Sequence, residues 1–153
     1  LTKAPLLILF VKATVKSILE LGRSFPWTKP DCCPRCGGRI WRHGFTTRYF
    51  DDCPHPLLMR RYRCPECRLV VTTRPSDYWG RFQASIADIR ESLTHRFQQR
   101  RWGKTRSNSR RRHWVKGLLG KIRCHLGLDW TGNLMDAFEQ LLDHGLCPVS
   151  RSI

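Results

Sequence analysis

The sequence predicts an α+β protein in which a small antiparallel ribbon, tied by cysteines, is followed by a helical, helix-turn-helix-like region. Two Cys-Pro-x-Cys motifs enclose segments rich in aromatic and Thr residues, as strands are. Further along, apolar residues recur at helical spacing beside a strongly basic face. We therefore divide the chain into an amphipathic N-terminal helix and linker, the ribbon, the basic helical region, and a C-terminal helix and tail: 1–30, 31–75, 76–130 and 131–153.

Basic residues dominate the charge of the chain. Its 153 residues include 28 Lys and Arg against 12 Asp and Glu, which gives a formal net charge of +16. A charge of this size opposes compaction and favours a polyanionic partner, of which nucleic acid is the simplest. The apolar content of 41% excludes a wholly disordered basic tail. Residue 1 is Leu, so the sequence leaves open an unusual start codon or a fragment.

The N-terminal segment is predicted to form an amphipathic helix from Leu6 to Leu21. Lys12, Lys16 and Glu20 recur every four residues, which on a helix gives one narrow polar stripe beside a wide apolar face. The apolar run is too short for a membrane span, which takes about 20 residues. Its apolar face has three candidate occupants: the C-terminal helices of the same chain, a homodimer or protein partner, and a membrane surface.

Four cysteines are predicted to bind one structural zinc ion. One Cys-Pro-x-Cys turn begins at Cys33 and the other at Cys64, and 27 residues separate the two pairs. Each turn directs two thiolates at one point, and four soft sulfur ligands suit tetrahedral Zn²⁺. The alternative is two disulfides in a secreted protein. The predicted metal ligands are Cys33, Cys36, Cys64 and Cys67.

The four remaining cysteines share no spacing with one another. A disulfide scaffold would require paired positions, whereas scattered free cysteines fit a reducing compartment. We therefore expect a cytoplasmic protein, as in a bacterial-type cytosol. The remaining cysteines are Cys32, Cys53, Cys124 and Cys147.

Three short strands are predicted around the cysteine motifs. Residues 39–50 form the first strand, Leu57–Arg63 the returning strand, and residues 69–73 a third strand that Pro75 ends. Two metal-binding turns on an antiparallel sheet make a zinc ribbon. Because so small a sheet has little core of its own, we expect metal binding to supply much of its folding free energy.

The turn between the first two strands holds the only adjacent acids, Asp51 and Asp52. Acids in a turn commonly face solvent, and no third acid is placed near them, as a two-metal site requires. We therefore predict no catalytic residue and no enzymatic activity. The enzymatic alternative is a nuclease that uses these acids and His55 around a second metal.

Two helices joined by a turn are predicted for the basic region. The first begins near Ser85, which with Asp88 resembles a capping box. The second follows Asn108, a good N-cap residue, and separates an apolar side from a basic side. Two glycines, Gly117 and Gly120, fall on the basic side, where they would let the backbone approach a phosphate closely.

These helices carry basic residues almost without acids. No acid lies between Glu91 and Asp129, whereas eleven Lys or Arg occur from Arg96 to Arg123. Charge runs are commonly solvated faces, but on paired amphipathic helices we expect nucleic-acid contact. In a helix-turn-helix the start of the second helix meets base edges in the major groove. The predicted base-reading residues are Asn108, Ser109, Arg110, Arg111 (nearest the apolar side) and Arg112; the predicted phosphate contacts are Arg100, Arg101, Lys104 and Arg106. Lys116, on the basic side of the second helix, is a further predicted nucleic-acid contact.

A last helix is predicted from Leu134 to Leu142. It carries acidic residues, so we expect it to close the core rather than to contact DNA. Gly145 follows it where a C-terminal glycine belongs.

Three ribbon motifs match a known class of proteins: Cys33-Pro-Arg-Cys-Gly-Gly with His43-Gly44, Arg60-Arg-Tyr-Arg-Cys-Pro-Glu-Cys, and Thr72-Thr-Arg-Pro75. They resemble the zinc ribbons of bacterial insertion-element transposases and their accessory proteins. In that class a helix-turn-helix commonly follows the ribbon, and residues 76–126 fit that order. The resemblance implies binding to element ends or to an operator. The chain departs from the transposases because it has neither room nor acids for their three-acid catalytic domain.

We therefore expect a zinc-dependent, non-catalytic nucleic-acid-binding protein, most simply a duplex-DNA-binding transposition accessory factor or transcriptional regulator. The alternative is an RNA-binding zinc-ribbon module, because aromatic side chains on a ribbon can stack on unpaired bases. The candidates are Trp41, Phe45 and Tyr49. The competing expectation is that these three aromatic side chains pack within the ribbon.

Overall fold

The computed structural model describes residues 6–101 and 108–151, and it confirms the predicted α+β class. This part of the chain forms one four-stranded sheet and four α-helices. It divides into two compact units, of which the first ends at Ser85 and the second begins at Ile86. Within the described ranges, no helix combines the length and apolarity that crossing a bilayer demands.

The first unit is built on a mixed sheet of four strands: β1 Leu6–Val11, β2 Trp41–Arg48, β3 Leu57–Arg63 and β4 Val70–Pro75. The spatial order is β1-β4-β3-β2, with β2, β3 and β4 antiparallel and β1 parallel to β4. The three antiparallel strands confirm the predicted ones. A register shift between Arg42 and Phe45 bends β2, as a bulge does.

The predicted helix over residues 6–21 is wrong in its first part. Residues 6–11 are strand β1, whose register places Leu6 beside Val70, and the helix α1 covers only Val15–Leu21. A continuous apolar run fits a buried strand as well as a helix, and β4 has an open edge whose N–H and C=O groups need partners. Thr14 starts α1 because its side-chain oxygen accepts a hydrogen bond from the helix's first turn.

Part of the apolar side of α1 packs against its own unit, whereas Leu19 and Leu21 remain 40% and 49% exposed. Val15 and Ile18 pack in one buried cluster with residues that flank and form β3. Phe25 and Trp27, predicted to lie in a bare linker, pack against the same cluster with their ring centroids 4.6 Å apart. The other members of the cluster are Phe50, Cys53, Leu57, Met59 and Tyr78.

A buried arginine holds the segment that leaves β4. Arg74 is only 7% exposed; its Nε donates to the Trp79 carbonyl at 2.9 Å and its Nη2 donates to the Phe82 carbonyl. The guanidinium also lies 5.1 Å from the ring centroid of Phe50. Burial lowers the pKa of Arg74 to about 10, so these carbonyl and ring contacts are what compensate for its desolvation.

The described part of the second unit contains three helices: α2 Ile86–Gln99, α3 Asn108–His125 and α4 Leu134–Asp143. These agree with the helices expected from the sequence. Asn133 caps α4 by accepting the Met135 N–H at 2.8 Å, and Gly145 ends it with a positive φ of 73°. The core is made of buried apolar residues from all three helices: Ile89, Leu93, Trp114, Leu118, Ile122, Ala137, Phe138 and Leu141.

Candidate metal centre and nucleic-acid interface

The two Cys-Pro-x-Cys turns bring four sulfur atoms together. The Sγ atoms of Cys33, Cys36, Cys64 and Cys67 all lie within 4.8 Å of one another. Two sulfur pairs are in contact between the motifs, Cys33 with Cys67 at 3.6 Å and Cys36 with Cys64 at 3.5 Å. The predicted ligand set therefore converges on one point.

Backbone hydrogen bonds close each turn. The Cys33 N–H donates to the Gly38 carbonyl at 2.8 Å, and the Gly37 N–H donates back to the Cys33 carbonyl at 2.9 Å. Gly37 adopts a φ of 73°, a conformation that costs glycine little and other residues more. In the second turn the Cys64 N–H donates to the Leu69 carbonyl at 2.9 Å. Both sulfur pairs are thus held by rigid backbone.

The spacing of the sulfurs fits a tetrahedral metal ion. With zinc–sulfur bonds of about 2.3 Å, a tetrahedral site separates its sulfurs by roughly 3.8 Å, close to the separations found here. All eight cysteines lie in the described part of the chain and all are free thiols. The two disulfides of the alternative interpretation are therefore not formed in this structure. The cluster could hold a metal ion such as zinc, and the described residues form no second such group of His, Cys, Asp or Glu.

The thiols of Cys33, Cys36 and Cys67 differ in acidity. Burial opposes ionisation of Cys33, but the N–H groups of Cys36 and Arg35 outweigh it and lower the pKa of Cys33 to about 7. At Cys36 the Gly38 N–H favours the thiolate, yet the Cys64 sulfur and burial together raise the pKa to about 12. The pKa of Cys67 is also raised, because burial and the Cys33 sulfur outweigh the Leu69 N–H. A metal ion would have to displace protons from at least two ligands.

The residues of the nuclease hypothesis do not form a metal cluster in the described chain. Asp52 accepts a hydrogen bond from the Tyr78 hydroxyl, and the Asp51 backbone N–H donates to the Gln83 carbonyl at 2.9 Å. His55 is exposed. The acid pair thus helps to fasten the turn to the segment after β4.

Five of the residues predicted to contact nucleic acid line one cavity of about 550 Å³ in the second unit. We call it the α2–α3 groove, because the end of α2, the residues after it and the start of α3 line it. None of its described lining residues is acidic. The lining residues are Arg96, Arg100, Arg101, Asn108, Arg112, Val115, Lys116 and Leu119.

The remaining predicted contacts fall elsewhere. Ser109 is exposed and Arg110 stacks over Trp114 with its guanidinium 5.5 Å from the ring centroid; neither lines the groove. The prediction that Arg111 reads bases is wrong, because its side chain is buried and the residue is only 3% exposed. It precedes Trp114 by three residues, so the helical period turns both toward the core. Lys104 and Arg106 lie outside the described residues.

The sequence prediction missed Arg96 as a groove residue. Arg96 lies in the last turn of α2, four residues before Arg100, and this spacing in the sequence could have identified it. Leu119 was expected on the buried side of α3, but it is 38% exposed and lines the groove. The groove is therefore lined by both basic and apolar side chains.

The two glycines of α3 have different surroundings. A side chain at Gly117 would collide with the backbone nitrogen of Ser150, whereas nothing lies within 4 Å of the same position at Gly120. The expectation that a phosphate could approach the backbone is therefore wrong at Gly117, which the C-terminal segment covers.

The aromatic residues of the ribbon divide into exposed and packed. Trp41 is 58% exposed and Tyr49 60% exposed. Phe45 instead lies beneath two arginines, with the guanidinium of Arg60 4.6 Å and that of Arg23 5.9 Å from its ring centroid. The expectation of packing within the ribbon thus holds for Phe45 alone.

Comparison with protein families, with curated proteins and with solved structures found no match for this chain. The resemblance to insertion-element ribbons therefore rests on the three sequence motifs and stays a prediction. The function has to be inferred from the chain's own residues.

Proposed function

We propose that this chain is a zinc-dependent, non-catalytic nucleic-acid-binding protein of the cytoplasm, which binds duplex DNA as a transposition accessory factor or transcriptional regulator. The observation that carries the proposal is the α2–α3 groove, where five basic side chains converge without an acid among its described lining residues. A polyanion is the ligand that such a groove fits best.

Zinc has a structural role in this proposal. Cys33 and Cys64 are buried in one cluster with Ile40, Tyr62 and Val71, so the ligands are part of the ribbon core. Four thiolate ligands leave no open coordination position, as is typical of structural zinc sites. The free energy of metal binding then stabilises the fold of the first unit.

The start of α3 supports DNA as the ligand. Asn108 is the first residue of this 18-residue helix, and the N-terminus of a helix attracts phosphate through its free N–H groups and its dipole. Arg112 follows one turn later and Lys116 two turns later, so the three share one side of the helix. Arg100 and Arg101 add positive charge at the end of α2. In a helix-turn-helix arrangement this side of α3 enters the major groove.

The test is duplex binding by the zinc-loaded full chain, measured by fluorescence anisotropy at several salt concentrations. We expect the logarithm of the affinity to fall with the logarithm of salt, with a slope of about −0.9 for each phosphate contacted. Arg112→Gln should reduce the magnitude of that slope by about 0.9. Arg123→Gln is the matched control, because Arg123 is exposed on the same helix but does not line the groove. Salt-independent binding, or equal losses in both variants, contradicts the proposal.

RNA with unpaired bases is a second candidate, because two large aromatic side chains are exposed on the ribbon. Trp41 and Tyr49 are free to stack on unpaired bases, and such stacking contributes about 1–3 kcal/mol per base. Competition among duplex DNA, single-stranded DNA and folded RNA separates the two candidates. Preference for RNA, lost in Trp41→Ala and kept in Arg112→Gln, favours the second.

A further inference from the structure

A second basic cavity lies in the first unit, apart from the cysteine cluster. We call it the Phe45 pocket. Its volume is about 230 Å³, and three of its lining residues are arginines while three are aromatic. The lining residues are Arg23, Phe25, Pro26, Trp27, Arg42, Phe45 and Arg60.

Phe45 holds two of the arginines in place. The guanidiniums of Arg60 and Arg23 both lie within 6 Å of its ring centroid, the range of a cation–π contact. An arginine stacked in this way keeps the N–H groups at its edge available for hydrogen bonds. The ring thus orders two donor groups before any ligand arrives, which reduces the entropy lost on binding.

These positive charges have no internal counterion in the described chain. Among residues 6–101 and 108–151, no salt bridge joins Arg23, Arg42 or Arg60 to a carboxylate, and none of the described lining residues is acidic. Like charges held close together repel one another, so the pocket gains stability when an anion enters.

The size of the pocket limits the anion. Its volume falls below the roughly 300–1,000 Å³ of pockets that enclose drug-sized ligands, and a phosphate group fits within it. Guanidinium groups match phosphate oxygens in geometry and bind them through paired hydrogen bonds. Phosphate therefore fits both the volume and the donors.

We propose that the Phe45 pocket binds one phosphate group through Arg23, Arg42 and Arg60. The group can belong to a nucleic-acid strand or to free phosphate, and both present the same oxygens. The inference does not depend on the α2–α3 groove, because all residues of the pocket belong to the first unit. It adds a phosphate contact on the ribbon that no sequence motif indicates.

The experiment follows the indole N–H signal of Trp27 by NMR in the zinc-loaded full chain, with Trp27→Phe to assign it. Inorganic phosphate is the first probe and an unphosphorylated single-stranded oligonucleotide the second. We expect saturable shifts with phosphate and about tenfold weaker binding in Arg60→Gln, the loss of one strong charge-assisted contact. Arg63→Gln is the matched control, because Arg63 is exposed on the same strand and does not line the pocket.

Arg23→Gln is a second variant in case Arg60→Gln disturbs the fold, because Arg23 lies in the 3-10 turn Gly22–Ser24 outside the sheet. It should also weaken phosphate binding. A response to both probes assigns the site to a nucleic-acid strand, and a response to inorganic phosphate alone assigns it to free phosphate. Either result supports the phosphate site. No saturable response to phosphate, or equal weakening in Arg60→Gln and Arg63→Gln, overturns it. Failure of the α2–α3 groove to bind DNA is read separately, from Arg112→Gln.

Discussion

The sulfur of Cys33 lies 3.6 Å from the sulfur of Cys67, so the first ligand of one motif is in contact with the last ligand of the other. The same crossing joins Cys36 to Cys64 at 3.5 Å. Each Cys-Pro-x-Cys motif therefore supplies two of the four sulfurs, and the cluster is complete only when both motifs meet. The metal would fasten the segment before β2 to the segment between β3 and β4.

Replacing a buried ligand should abolish metal binding and unfold the ribbon. In Cys64→Ser we expect bound zinc to fall from about one ion per chain to near zero, because a structural site needs all four ligands. Bound metal is measured by elemental analysis and folding by near-UV circular dichroism. Cys32→Ser is the control, since Cys32 is exposed and lies outside the cluster. Equal zinc content in the two variants would show that Cys64 is not a ligand.

Zinc affinity should rise with pH. The raised pKa values of Cys36 and Cys67 keep both thiols protonated at neutral pH without metal, whereas binding requires thiolates. Because the loaded state holds fewer protons, raising the pH favours it, and below about pH 7 protonation of Cys33 steepens the dependence. Competition with a chromophoric chelator at several pH values measures this. A constant affinity over the neutral range is the contrary result.

Alkylation should distinguish the cysteines by role. In the zinc-loaded chain we expect iodoacetamide to label Cys32 and Cys124 first, because both are exposed. Cys147 should react more slowly, since burial raises the pKa of its thiol and the thiolate is the reactive form. The four cluster cysteines should react only after a chelator removes the metal. Peptide mass spectrometry gives the order, and early labelling of the cluster would argue against a bound ion.

Two glycine substitutions in α3 should have opposite effects on stability. Gly120→Ala should raise the free energy of unfolding by about 1 kcal/mol, because alanine favours the helix and nothing crowds its side chain. Gly117→Ala should lower it by about 1–3 kcal/mol, the typical effect of overpacking, because the new methyl group meets the Ser150 backbone. Thermal unfolding compares them directly. A stabilised Gly117→Ala would mean that the C-terminal segment does not pack on α3.

The cysteine cluster could be predicted because its information is local. A Cys-Pro-x-Cys turn fixes the direction of its own two thiols, and the repeat of the motif implies a shared metal. Strands β2 and β3 and helices α2, α3 and α4 were likewise predictable, since alternation, capping and apolar spacing act over a few residues.

Contacts between distant segments could not be predicted from one sequence. Leu6–Val11 forms a strand only because the edge of β4 is open to it, and its apolar run alone fits either a strand or a helix. Arg111 lies within a run of three arginines, and the run hides that the helical turn places the middle one beside the core. The Phe45 pocket joins residues from a turn, a loop and two strands, which no local pattern reveals.

The parallel pairing of β1 with β4 has a consequence for synthesis on the ribosome. Leu6–Val11 emerges before its partner Val70–Pro75, which follows only after the rest of the ribbon has been made. Until that partner is made, an apolar segment of high strand propensity has no strand to pair with, and such segments can cause nascent chains to aggregate. We expect the ribbon to form first and this strand to be added last, so early handling by a chaperone would act on residues 6–11.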